Sequence, residues 1–182
     1  MWRLLSNWVF DRDDRTLPPE FCIELGMKRR STGTLIIDTP LPPIVNHYQQ
    51  TLRIHTSGKS LTRVTRQIEA TVSEAGIQTG LCTLFLRHTS ASLVIQENAD
   101  PDVLVDLENF FAKLVPESGY YIHSAEGPDD MPAHIRTALT HTSEQIPISR
   151  GRLVLGTWQG IYIWEHRHHR HHRELVVHIS GN

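Results

Sequence analysis

Residues 84–106 read LFLRHTSASLVIQENADPDVLVD, and the organisation of the chain follows from this stretch. Leu81–Leu86 and Leu93–Ile95 are short apolar runs of β-forming character, so His88–Ser92 is the link between two strands and His88 stands at a strand end. Asp100 followed by Pro101 starts a helix. A short acidic side chain caps the first free backbone N–H groups, and proline loses nothing at the first helical position, where its N–H would have no partner. Leu104, Leu107, Phe111 and Leu114 then recur at helical spacing and supply an apolar stripe. Glu97, Asn98 and Asp102 crowd the positive end of that helix, and Asp106, four residues beyond Asp102, shares its face. Two readings fit these residues: a capped helix with a solvated acidic first turn, or a site presenting several oxygen ligands in one direction.

Working outward, Gln50–Thr56 alternates as a strand, Ser57-Gly58-Lys59 is a turn, and Leu61–Val64 is a short strand or helix entry. Ile68, Val72 and Ala75 lie on one helical face, which Gly76 ends in a left-handed cap. The segment YYIHS is expected as a short strand ending at His123, and the turn formers of AEGPDDMP lead into a helix opened by Pro132. Gln145–Ser149, Arg152–Gly156, Gly160–Glu165 and Glu174–Ile179 read as an antiparallel sheet with short links. Strands on both sides of about three helices, in no strict alternation, predict an α+β fold with a mixed or antiparallel sheet core. Residues 1–46 differ: aromatics without periodicity, the basic cluster Lys28–Arg30 and the proline-rich DTPLPPIV predict an irregular extension ahead of a domain over 47–182.

Hydrophobic residues at 39% and charged residues at 21% suit a soluble globular protein, and a net charge of -2 gives no electrostatic footprint for nucleic acid. Two cysteines make no disulfide framework, which fits a reducing compartment. Neither a secretory signal nor an apolar run long enough to span a bilayer is visible. The expectation is a cytoplasmic protein acting on a small molecule, without nucleic acid or membrane as partner. Histidine is the anomaly at 12, so surface charge should change steeply near pH 6.

His88, His123 and His134 each end an apolar element beside small, polar or acidic residues. Three converging imidazoles would hold zinc or nickel and leave a position for water or substrate, with Asp129 or Asp130 orienting the rings. The run WEHRHHRHHR at 164–173 is expected instead as a solvated cationic hairpin loop whose imidazoles chelate nickel or zinc adventitiously. Glycines flank Trp158 and Gln159, which suits either a planar heterocycle or a hairpin whose Trp caps the core. Arg150 and Arg152 are either donor forks for phosphate or exposed strand residues. There is no GxGxxG, phosphate-binding P-loop or GxSxG.

The ordered motifs HTSASLVIQENADPDV at 88–103, EGPDDMPAHIRTALTHTS at 126–143, IPISRGRLVLGTWQGIYIWEHR at 146–167 and VVHISG at 176–181 resemble the YjbQ family, the secondary thiamine-phosphate synthases. The resemblance spans about residues 50–182 and implies a YjbQ-like homotrimer with a pocket near subunit boundaries. It also implies a weak thiamine-phosphate synthase activity, a transferase reaction joining a pyrimidine diphosphate to a thiazole phosphate with release of pyrophosphate. The resemblance places His88 and Asp106 in that pocket, and with Arg150 as a phosphate donor they are the expected catalytic group. Asn98, Asp100, Asp130, Trp158 and Gln159 bind substrate, and His88, His123 and His134 hold metal. A departing pyrophosphate calls for magnesium at the acidic cluster or for arginine. A metal-dependent hydrolase using the three histidines and a non-catalytic metal- or metabolite-binding protein are the alternatives.

Overall fold

Alternating burial along eleven residues, Asn46–Thr56, identifies the strand at which the larger unit of the chain begins. The computed structural model describes residues 45–182 together with two earlier strands, β1 (Met27–Arg29) and β2 (Leu35–Ile37). The chain separates into two units, Met1–Pro43 and Ile44–Asn182. In the first, β1 and β2 pair antiparallel with Met27 opposite Ile37, so the expected irregular extension contains a short ladder at its basic cluster. The remainder of that extension, including Cys22 and the prolines before Ile44, lies outside the described residues.

The second unit runs β3 (Asn46–Thr56), β4 (Ser60–Arg63), α1 (Thr65–Ala75), β5 (Thr79–Leu86), β6 (Ala91–Glu97), α2 (Pro101–Leu114), α3 (Asp130–Leu139), β7 (Ser143–Ser149), β8 (Arg152–Leu153), β9 (Gln159–Glu165) and β10 (His171–Gly181). It forms two antiparallel sheets, a five-stranded one in the order β3-β10-β5-β7-β8 and a three-stranded one in the order β4-β9-β6. With three helices beside them, this is the expected α+β fold. One apolar core joins the sheets: Ile54, Leu84, Leu86, Leu175, Val177 and Ile179 come from the larger, Leu93, Ile161 and Ile163 from the smaller. Helix α1 adds Ile68 and Val72 and ends, as expected, at Gly76 with φ 67°. Cys82, at the middle of β5 between β10 and β7, is fully buried, and burial pushes its thiol up to about 12.

The expected link between β5 and β6 is present, and it carries the chain from one sheet to the other. Several expectations need correction. The four C-terminal strands are not one consecutive sheet, since β9 belongs to the smaller sheet and β8 stops at Leu153. YYIHS forms no strand; Tyr120 is 98% and Ile122 96% exposed. Asp100 does cap α2, accepting from the Asp102 N–H at 2.9 Å, yet no residue of that helix is buried. Leu114 of its stripe is exposed, as are Val105 and Phe110.

The largest correction concerns residues 164–173. The expected hairpin loop is a crossing from β9 to β10, and Glu165, His166, Arg167 and Arg173 within it are buried. Glu165, on the smaller sheet, accepts from Arg173 Nε at 2.6 Å and from Thr56 Oγ1 at 2.7 Å, both on the larger sheet. Its other oxygen accepts the Arg167 backbone N–H at 3.0 Å. Burial alone would raise the Glu165 carboxyl, but the hydrogen bonds from Arg173, Arg167 and Thr56 hold it below the usual carboxylate value. His166 meets Ser92 Oγ at 2.9 Å, and burial, with Arg136 nearby, lowers its ring to about 3. It therefore stays neutral in the folded chain at ordinary pH.

Two outcomes follow from this crossing. Arg173→Leu leaves an unpaired carboxylate in the core and should cost about 3–5 kcal/mol in urea unfolding. Glu165→Leu/Arg173→Leu should recover part of that loss, and a double variant no more stable than Arg173→Leu would refute the pairing. Because the folded His166 value lies below the unfolded one, the stability from its neutral ring is complete above pH 6.5 and declines as pH falls toward about 3. The slope in that window is at most about 1.4 kcal/mol per pH unit. His166→Asn should flatten the pH dependence of the urea midpoint between about pH 5 and 6.5 relative to wild type.

Candidate functional site

The first turn of α3 starts the site. Asp130 and His134 are four residues apart and share a helix face, with His134 Nε2 3.5 Å from Asp130 Oδ1. The segment ahead of the helix brings His123 Nε2 to 2.7 Å from Asp130 Oδ2, and the two imidazole rings stand 5.5 Å apart at 66°. One ligand atom from each of His123, Asp130 and His134 falls within 4.8 Å of the others, so that modest side-chain rotation would let the three hold one metal ion.

The surroundings fix this arrangement. Arg167, reaching in from the β9–β10 crossing, donates to Asp130 Oδ1 and, through Nε at 3.0 Å, to Asp129 Oδ2. Burial alone would raise the Asp129 carboxyl, but the His168 N–H at 2.8 Å and the Arg167 guanidinium hold it below its ordinary value. His134 Nδ1 lies 3.0 Å from the Thr89 carbonyl, which can only accept, so Nδ1 carries a proton and Nε2 is the nitrogen left to face Asp130. That is the second-sphere arrangement metal-ligating histidines require. Two imidazoles and a carboxylate suit zinc and its neighbours better than magnesium, which prefers oxygen.

His88 differs. The Glu174 backbone N–H donates to its Nε2 at 2.8 Å, so that lone pair is used and the neutral ring carries its proton on Nδ1. Burial, and then Arg173, lowers its pKa and keeps it neutral. His88 therefore does not join His123 and His134 in this geometry; the third potential ligand beside them is Asp130. His88 does line the same open pocket as His134, along with Thr89, Ser90 and Thr137, and in that pocket it can donate but not ligate.

The remaining expected residues lie elsewhere. Strands β6 and β9 pair from Ala91 opposite Glu165 to Glu97 opposite Gln159. Six residues at ~3.3 Å each separate those ends by about 20 Å. His88 and Arg167 flank the first end, whereas Asn98, Asp100, Trp158 and Gln159 gather at the second. There, Asn98 donates from its N–H to the Trp158 carbonyl at 2.8 Å and from Nδ2 to the Gln159 carbonyl at 3.0 Å. Gln159 Oε1 accepts the Gly156 N–H at 2.7 Å, so both amides brace the loop. Trp158 is 63% exposed and caps no core. Asp106 is exposed on α2.

Arg150 follows Ser149, which pairs with Thr79 at the start of β5, while His88 lies beyond the other end of that strand. About 20 Å or more divides them by the same rise, so in one chain Arg150 cannot share a site with His88. Arg150 and Gly151, at φ 53° and 71°, form the two-residue turn between β7 and β8. The residue missed from sequence is Arg167, hidden in a run whose composition reads as surface. Its signal was adjacency: GIYIW is the apolar centre of a three-stranded sheet, and burial continues past Trp164 through Arg167.

Comparison with known proteins agrees with this architecture. The family model described as UPF0047 protein YjbQ-like matches residues 50–182. A UPF0047 protein of Synechocystis is 64% identical over 135 residues, covering 74% of this chain and 92% of that one. The YjbQ protein of Escherichia coli O157:H7 is 42% identical over 135 residues, covering 74% and 98%. Among solved structures, a YbjQ-like protein of unknown function from Sulfolobus solfataricus P2 superposes with a TM-score of 0.72 at 26% identity, covering 76% of this chain and all of that one. A YjbQ/UPF0047 protein from Clostridium acetobutylicum gives 0.65 at 36% identity, covering 72% and 98%. Matched along almost the whole of its second unit, the chain belongs to the YjbQ-like UPF0047 family.

Proposed function

We propose that this chain is an enzyme that binds a zinc-type divalent ion through His123, Asp130 and His134 and acts on a small phosphorylated substrate in the adjoining pocket, with thiamine-phosphate synthesis as a weak activity. The observation that carries the reading is the donor set itself, three ligand atoms within 4.8 Å of one another. A bound ion would supply positive charge for the departing pyrophosphate. Arg167 keeps the Asp130 carboxylate aligned, and Thr89 leaves the His134 Nε2 for the ion. His88 offers its Nδ1–H to a substrate oxygen, while Thr89, Ser90 and Thr137 line the same pocket with hydroxyls. The synthase reaction itself comes from the family resemblance.

Assembly belongs to the same proposal. Asn98, Asp100 and Trp158 can join the metal group only from another copy, and exposed Val105, Phe110 and Leu114 give α2 an apolar surface for one. A homotrimer would have a mass of about three times 20.8 kDa. The nitrogen-rich donor set favours a second reading, metal-assisted hydrolysis of a small phosphoester or amide.

Tag-free protein, dialysed against a mild chelator, should retain one ion per chain by elemental analysis. His134→Ala should lose that ion and at least about a hundredfold of any turnover, since loss of even a ligand's orienting partner costs ~10–100-fold. His88→Ala should keep the ion while losing turnover, and metal loss in His88→Ala alone would overturn the donor set. Assay with a pyrimidine diphosphate and a thiazole phosphate, beside a phosphoester panel, separates the two reactions.

Site sharing is tested by mixing chains. Co-assembled His134→Ala and Trp158→Ala chains should regain turnover that neither has alone. Hybrids as inactive as their parents would place the whole site within one chain.

A further inference from the structure

The outward face of β3 and β10 carries a second, independent imidazole pair. Strand alternation sends Ile54 and Thr56 inward, where both are buried, and leaves His55 outward; on β10, Arg173 and Leu175 point in and His172 points out. The ladder sets His172 directly opposite His55. Both are exposed, and their ring centroids are 4.1 Å apart at 71°, edge to face.

Directly opposed residues of an antiparallel pair hold their Cβ atoms about 4.5–5.5 Å apart. An ion bonding two imidazole nitrogens at ~2.0–2.1 Å needs those nitrogens roughly 3–4 Å apart. Two exposed rings with centroids 4.1 Å apart are close enough for side-chain rotation to bring a nitrogen of each into that range. A strand pair is also stiff, so little ordering cost opposes the ion.

We infer that His55 and His172 form a surface site for one imidazole-preferring divalent ion, copper(II), nickel(II) or zinc, held by two protein nitrogens with its other positions open. Those positions face a cavity lined by Thr56, Ser57, Arg170 and His171 as well as the two rings, the His171 Nδ1 being engaged with the His169 carbonyl at 2.8 Å. The Arg170 guanidinium there suits an ion that brings a small anion, such as phosphate or carboxylate, as co-ligand. The site thus holds its ion exchangeably on the surface, apart from the His123, Asp130 and His134 group.

The fold supplies its own comparison. His47 and His178 lie on the same outward face at the other end of the two strands, but they are diagonal: His47 is opposite Ser180 and His178 opposite Gln49. Their rings stack at 5.5 Å and 29°, further apart than the His55 and His172 rings. His168 and His169 are exposed in the crossing and belong to neither ladder.

Equilibrium dialysis of the tag-free full chain against nickel(II) or zinc tests the site, with thermal melts to confirm that each variant folds. His55→Gln and His172→Gln should each weaken one ion by about 10–100-fold, the scale on which lost ligand support is felt. The double variant should be no worse than either single one, because two ligands of one ion act as a unit. His47→Gln, His168→Gln and His134→Ala should leave this ion in place. Wild-type binding by His55→Gln, or equal loss in His47→Gln or His168→Gln, would overturn the assignment. Phosphate in the dialysis buffer should tighten the ion in wild type and not in Arg170→Gln; tightening in both would remove Arg170 from the site.

Discussion

Everything in the second unit is arranged around a charge pair that water cannot reach, Glu165 with Arg173. Two buried ions tie the sheets together only because each is fully engaged: Thr56, Arg173 and the Arg167 N–H all serve the same carboxylate. A buried pair of this kind often contributes little net stability, but it penalises every arrangement in which the partners fail to meet. Here that penalty fixes where the chain leaves β9 and enters β10. Arg167, two residues past Glu165, is thereby aimed at Asp129 and Asp130, and those carboxylates orient the start of α3. The geometry of the His123, Asp130 and His134 group is downstream of a core interaction.

Local features were legible in the sequence and long-range ones were not. The Asp100 cap, the Gly76 terminus of α1 and the extents of β5 and β9 follow from rules that operate within a few residues, and the structure keeps them. Strand partnership depends on segments far apart in sequence, so the link after β9 reads as a hairpin when it is a crossing between sheets. YYIHS has the composition of a strand, but no neighbouring edge accepts it. The α2 stripe has the right period and little protein to face in one chain, because period reports amphipathicity and not the identity of what covers it.

The site divides along the same line. His123, Asp130 and His134 were legible as chemical types beside helix and strand ends, and they meet. Arg167 was invisible because arginine among histidines reads as solvent-facing, while its burial is decided by the position of β9 at the centre of its sheet. His88 shows a subtler limit. Its position at a strand end was legible, but its protonation pattern is set by one backbone N–H from Glu174, 86 residues away.

Cys82 turns the architecture into something measurable. Its sulfur sits at the middle of β5 with a covered, protonated thiol, so a thiol reagent meets it only after β10 or β7 has parted from that strand. The labelling rate at this position is then a clock for the rarest opening of the larger sheet, read without any introduced probe. Because β10 carries Arg173 as well as the ladder to β5, an opening in which β10 is the strand that parts also loosens the tie between the two sheets.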